Sequence, residues 1–101
     1  METLFVSRHP GAIEWARRRG IVVDQMIAQF VPDGDAYIVI GTLPIHLVAQ
    51  VCEAGGRYLH LEMTLPAEAR GKDLTADQMD SFGATLREYR VARLMSEPEV
   101  L

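Results

Sequence analysis

Residues 36–44 read AYIVIGTLP: an unbroken apolar run, then glycine, threonine, leucine and proline. A strand with only one face in the core alternates apolar with polar residues, whereas a strand covered on both faces is apolar throughout. Ala36–Ile40 is therefore predicted as the central strand of a parallel sheet. Such a sheet needs helical crossovers, and one follows at once: Ile45–Ala54 has an apolar helical pattern that stops at Gly55 and Gly56. GTLP is the turn between the two.

The same order recurs upstream. Thr3–Ser7 (TLFVS) is a short apolar run ending in a polar turn, read as a buried first strand, and Pro10 suits the first turn of a helix. Ile13, Trp15 and Ala16 supply a partial apolar face before Arg17, Arg18, Arg19 and Gly20 close the helix. The three arginines are read as a solvated last turn that complements the helix dipole. In Ile21–Val31 (IVVDQMIAQFV) periodicity alone does not separate strand from short helix, and an edge strand is the favoured reading. Pro32–Asp35 (PDGD) is a turn, made by Asp33 and Asp35.

Downstream, Arg57–Met63 (RYLHLEM) alternates and is predicted as another strand, and Ala67–Leu74 (AEARGKDL) as an irregular loop. Thr75 is a candidate N-cap, with Gln78 completing a capping box, and Met79, Phe82, Leu86 and Tyr89 mark the face of a last helix. Asp73, Asp77 and Asp80 begin or decorate it. Val91–Met95 is either a last strand or a helical continuation. The expectation is a single α/β domain over residues 1–95, Rossmann-like, with a mainly parallel sheet flanked by helices, and a tail at 96–101.

A chain of 101 residues, 49% hydrophobic and 24% charged with a mean hydropathy of +0.04, has the composition of a one-domain globular protein. No apolar run approaches the roughly 18 residues of a membrane span, and Glu2 and Arg8 do not suit a secretory signal, so a cytoplasmic protein is expected. Cys52 is the only cysteine, which rules out an intrachain disulfide and a thiolate cluster for zinc and suggests a buried structural thiol. The net charge of −4 argues against coating long nucleic acid, but not against a small anion in a local pocket. Lys72 is the sole lysine; all other basic residues are arginine, the better fork for phosphate oxygens.

Three predicted strands end in polar, proline-containing turns: SRHP, GTLP and a second TLP at Thr64–Pro66. Right-handed crossovers bring these turns to one carboxyl edge of the sheet, where open α/β sheets bind ligands. Helix N-termini there offer free backbone N–H groups to an anion. Ser7, Arg8, His9, Gly11, Gly41 and Thr42 are candidates to surround one phosphate, with Arg70 as a second guanidinium. Taken singly, each has a plainer reading: Ser7 and Thr42 as helix caps, Arg8 paired with a carboxylate, the glycines as turn residues. An imidazole changes charge near neutral pH, so His9 is either a general acid or a neutral hydrogen-bonding group. His46, in an apolar helix, and His60, in a strand, are read as satisfied structural histidines. With no HExxH, paired cysteines or carboxylate cluster, and no GxGxxG or Walker motif, neither a protein-bound metal nor another cofactor is expected.

LFVSRHPG resembles the LxxxRHG opening of histidine phosphatases, although proline stands between His9 and Gly11 where that family's glycine follows histidine directly. A longer pattern, FVSRHPGAIEWA, VIGTLPIHLVAQVCEAGGRYLHLEM and LPAEARGKDLTADQM, resembles the small Csx-sixteen family found beside type III CRISPR systems, over roughly Leu4–Val91. That resemblance implies a CARF-like ring nuclease that cleaves cyclic oligoadenylate messengers, chiefly the tetra-adenylate, without metal, by attack of a ribose 2′-hydroxyl on the adjacent phosphate. It also implies a homodimer matched to a near-symmetric ring. In this reading Arg8 takes the phosphate charge and His9 serves the leaving 5′-oxygen or hydrogen-bonds the phosphate. Ser7 and Gly11 position it, Gly41, Thr42, Leu43 and Pro44 contact a neighbouring ribose-phosphate, and Arg70 closes over the ring. The competing readings are a module that binds the ring without cleaving it, and a small histidine-type phosphatase.

Overall fold

The computed structural model of the chain describes residues 1–95 and 97–100. Its elements run β1 (Glu2–Val6), α1 (Pro10–Arg18), β2 (Gln25–Ile27), β3 (Tyr37–Gly41), α2 (Ile45–Glu53), β4 (Arg57–Glu62), a 3₁₀ turn (Ala67–Ala69), α3 (Ala76–Ser81) and β5 (Thr85–Tyr89). The sheet order is β2-β1-β3-β4-β5, parallel except for β5, which pairs antiparallel with β4. This is the mostly parallel, helix-flanked sheet that the sequence implies. The apolar run at 36–40 does lie centrally, and β2 is an edge strand. Among the described residues no helix is long and apolar enough to cross a membrane.

The alternation of side chains along each strand feeds two cores. Phe5, Ile40 and Leu61 point to one face, where they meet Ala12, Trp15 and Ala16 of α1 and Ala76 and Met79 of α3. Leu4, Val39 and Tyr58 point to the other, against Val48 and Val51 of α2 and Phe30 of the β2–β3 loop. From β1 the chain steps outward to β2 through α1. It then returns past β1 to β3 and continues through α2 to β4, so right-handed crossovers put α1 and α2 on opposite faces. The change of direction lies between β1 and β3, which makes their carboxyl ends the topological switch point. The helices α1 and α3 are joined by Trp15 Nε1, which donates to Asp80 Oδ1 at 3.0 Å, and by Arg18, paired with Asp77.

Several local expectations are corrected. The last helix ends at Ser81 rather than reaching Tyr89, and 85–89 is a strand. Gly83, at φ +74°, closes a Schellman cap in which Gly83 N–H donates to Asp80 O and Ala84 N–H to Met79 O, both at 3.0 Å. Leu86 and Tyr89 therefore lie on opposite faces of the sheet instead of one helix face. Val91–Met95 forms neither helix nor strand, nor do residues 97–100; Ser96 and Leu101 lie outside the described residues. Ile13 is 43% exposed, and Ala12 takes its place in the core because it lies one helical turn before the buried Trp15 and Ala16. Cys52 is only half-buried.

Gly11 is where α1 crosses the start of α3. A Cβ placed on it would stand 1.8 Å from the Leu74 carbonyl oxygen, so this contact admits only glycine. Gly11→Ala is expected to destabilise the fold by about 1–3 kcal/mol, as overpacking of a tight contact does. Urea unfolding followed by the fluorescence of Trp15, the sole tryptophan, checks this; wild-type stability would show that the crossing can open freely.

Candidate functional site

Two clefts open at the carboxyl edge of the sheet. The first, about 440 Å³, lies over the switch point and is lined by Ser7, Arg8, His9, Gly41, Thr42 and Lys72 above an apolar floor that includes Phe5, Ala12 and Leu61. Ser7 is anchored by the edge strand: its N–H donates to Ile27 O at 2.9 Å, and its Oγ accepts from His9 N–H at 3.1 Å. Ser7 thus orders the turn rather than capping the helix. His9 is the N-cap residue of α1 in extended conformation, and its Nδ1 lies 2.8 Å from Asp73 Oδ1 in the loop before α3. Arg8 is exposed and has no ion-pair or hydrogen-bond partner among the described residues, so the carboxylate pairing considered for it is not formed.

Among the described residues no carboxylate lines this cleft, while Arg8 and Lys72 both do. The N-termini of α1 and α2 lack a side-chain cap and an acidic residue in the first turn; α3, by contrast, carries the full Thr75–Gln78 capping box. Two helix ends at the carboxyl edge therefore keep their dipole and N–H groups uncompensated by side chains, which favours a bound anion there.

The expected residues divide. Ser7, Arg8, His9, Gly41 and Thr42 come together in the first cleft. Gly11 does not line it, because its open side is spent against Leu74. Gly41 is buried, and a Cβ on it would meet Val6 O at 3.1 Å, so its smallness serves strand packing. Leu43 faces the second cleft, Pro44 is the N-cap of α2 and lines neither, and Arg70 lines neither; Lys72, past the turn at Gly71, is the basic residue of this loop that does. Asp73, which the sequence assigns to decorating the last helix, is instead the partner of His9. Nothing in local spacing signals that pairing across 64 residues.

The second cleft, about 630 Å³, lies on the α2 face beyond the end of that helix, over β4 and β5, and includes Thr42, Leu43, Ile45, Tyr58, His60 and Tyr89 in its lining. Thr42, Leu61, Met63 and Leu65 line both clefts, so the two adjoin around the ends of β3 and β4. Tyr58, 2% exposed, places its hydroxyl 2.9 Å from Leu43 N, 2.9 Å from Gly41 O and 2.7 Å from His60 Nδ1. Burial pushes the Tyr58 phenol above its ordinary pKa, so it stays protonated through the neutral range despite the opposing bond from Leu43 N–H. His60 is satisfied at Nδ1 as expected, but it also faces a cleft. His46, expected to be satisfied, is solvent-exposed on the outer side of α2.

Residues 4–92 match the family described as "Putative CRISPR-associated protein (Cas_VVA1548)". No curated protein and no solved structure gives a significant match.

Removing the Tyr58 hydroxyl would leave the Leu43 N–H and the Gly41 carbonyl without this partner. Tyr58→Phe is expected to cost about 1–3 kcal/mol of stability, the usual penalty for an orphaned buried polar group. Chemical denaturation measures it, and an unchanged midpoint would show that the hydroxyl does not hold the turn.

Proposed function

The chain belongs to this CRISPR-associated family, and from that premise we propose that it is a ring nuclease, cleaving cyclic oligoadenylates, chiefly the tetra-adenylate, to switch off type III CRISPR signalling. The observation that carries the reading is the make-up of the first cleft. In a chain of net charge −4, the lining collects Arg8, Lys72 and His9 and, among the described residues, no carboxylate. Such a cleft suits a small polyanion rather than a long duplex, which would need a broadly cationic surface.

The proposed chemistry needs only side chains. The ribose 2′-oxygen attacks the adjacent phosphorus, forming a cyclic phosphate as the bond to the 5′-oxygen breaks. Arg8 and Lys72 stabilise the added charge on the phosphoryl oxygens, and His9, aimed by Asp73, gives the departing 5′-oxygen its proton. Ser7 and Thr42 position the backbone of the ring. A symmetric homodimer would present two such clefts to a near-symmetric ligand.

Incubating the purified protein with labelled cyclic tetra-adenylate in EDTA separates the readings. Linear products are the expected result; a ring retained intact would make the protein a binding module. Release of inorganic phosphate from a monoester would make it a small histidine-type phosphatase. Arg8→Ala is expected to lower the single-turnover cleavage rate by roughly 10²- to 10³-fold, as loss of one stabilising donor does. Wild-type cleavage by this variant would remove Arg8 from the site.

A further inference from the structure

The buried Tyr58 hydroxyl settles which nitrogen of His60 carries a proton. A phenol has one proton to give and two lone pairs. Leu43 N–H can only donate and the Gly41 carbonyl can only accept, so the hydroxyl accepts from Leu43 and donates to Gly41, each at 2.9 Å. Its remaining lone pair faces His60 Nδ1 at 2.7 Å, and that nitrogen must then be the donor. The reverse arrangement, with Tyr58 donating to His60, would strip the Gly41 carbonyl of its bond to a residue 2% exposed. In its neutral form the imidazole so held has an unprotonated Nε2, which meets no hydrogen-bond partner among the described residues. Its ring lines the second cleft.

His60 lies in register with Gly41 of β3 and Arg87 of β5, at the ends where the two clefts join. The charged and titratable groups that face it are Tyr58 and Glu62 from β4 and Arg87 and Tyr89 from β5. From α2, only the apolar Ile45 and Val48 reach this cleft. Glu62 is occupied by the Tyr89 hydroxyl and by Arg87 Nε at 3.5 Å, and the Tyr89 ring meets His60 edge to face at 6.0 Å. Among these groups, His60 Nε2 is the acceptor that meets no partner among the described residues.

We propose that His60 Nε2 is the general base of the cleavage step, an assignment that rests on the ring-nuclease reading. A ribose seated over Thr42, one of the residues shared by both clefts, has the Arg8 and His9 cleft on one side and His60 on the other. The proton of the 2′-hydroxyl passes to His60 Nε2 as O2′ bonds to phosphorus. The P–O5′ bond breaks with its electron pair on O5′, and O5′ takes a proton from His9. Tyr58 acts through His60 as a positioning residue, holding the tautomer that leaves Nε2 free.

The test is the pH dependence of single-turnover cleavage of labelled cyclic tetra-adenylate by the wild type and by His60→Asn. Asparagine keeps a donor near the Nδ1 position for Tyr58 and removes Nε2. The expected result is a rate lower by about 10²-fold or more, unchanged affinity for the ring, and loss of the acid limb that a base creates as it protonates. An H60N protein that cleaves at the wild-type rate with the same acid limb overturns the assignment and leaves the nuclease reading standing. A wild type that binds the ring without cleaving it overturns both. Independently of activity and of the variant's folding, long-range ¹H–¹⁵N spectra of the wild type read the tautomer of His60. The Nδ1–H form is expected, and the Nε2–H form overturns the proposal.

Discussion

The buried hydroxyl of Tyr58 is the joint on which the carboxyl edge of this sheet depends. It reaches from β4 to the Gly41 carbonyl at the end of β3 and to the Leu43 N–H in the turn that starts α2. A strand end normally leaves such groups to water, and burying them without partners costs about as much as a lost hydrogen bond. By satisfying both from one side chain, Tyr58 lets GTLP turn tightly over the sheet with its apolar neighbours packed around it. Gly41 completes the joint by its lack of a side chain, since a Cβ there would press on the Val6 carbonyl at the end of β1. The ends of β1, β3 and β4 are thereby drawn together, and Thr42 becomes a wall common to two clefts.

Charge is distributed to the same effect. The chain is acidic overall, but among the described residues its ion-paired carboxylates lie away from the first cleft, except Asp73 beside His9. Glu14 and Asp77 pair with Arg17 and Arg18 on the outer surface of α1 and α3, and the Arg17 and Arg18 guanidiniums hold Glu14 below its ordinary pKa. Asp33, Asp35 and Glu53 line a separate hollow at the amino edge of the sheet, where the bond from Tyr37 to Asp33 drives that phenol up to about 12. Arg19 lies over the Trp15 ring and donates to Ala84 O at 2.7 Å. Among the described residues, Arg8 and Lys72 are the arginine and lysine left facing the switch point, beside the ends of α1 and α2, which no side chain there caps. These are short-range features, and a net charge counted over the whole chain conceals them.

The order of elements was legible in the sequence, because hydrophobic periodicity, proline at helix starts and glycine at helix ends are local signals that this fold obeys. AYIVI, the IHLVAQVCE helix and the capping box at Thr75 all occupy the places their residues predict. The helix expected to run on to Tyr89 shows the limit of periodicity. Phe82, Leu86 and Tyr89 fit a helical spacing by coincidence, although Gly83 between them carried the same stop signal that Gly20 and Gly55 gave correctly. The convergence of SRH and GTLP at one edge was also legible, since right-handed crossovers leave a parallel sheet no other arrangement.

What only the tertiary structure decided is which side chains meet at that edge and in what state. Asp73 reaches His9 across 64 residues of chain, Lys72 replaces Arg70 because the loop turns at Gly71, and Gly11 is consumed by α3. His60 reads in sequence as one more residue of an alternating strand. Its tautomer depends on a hydroxyl whose other partners sit on a different strand and a different turn. Periodicity specifies the face on which a side chain lies. The partner it finds there is set by the packing of elements distant in the chain, and in a buried hydrogen-bond network that partner determines where the proton resides.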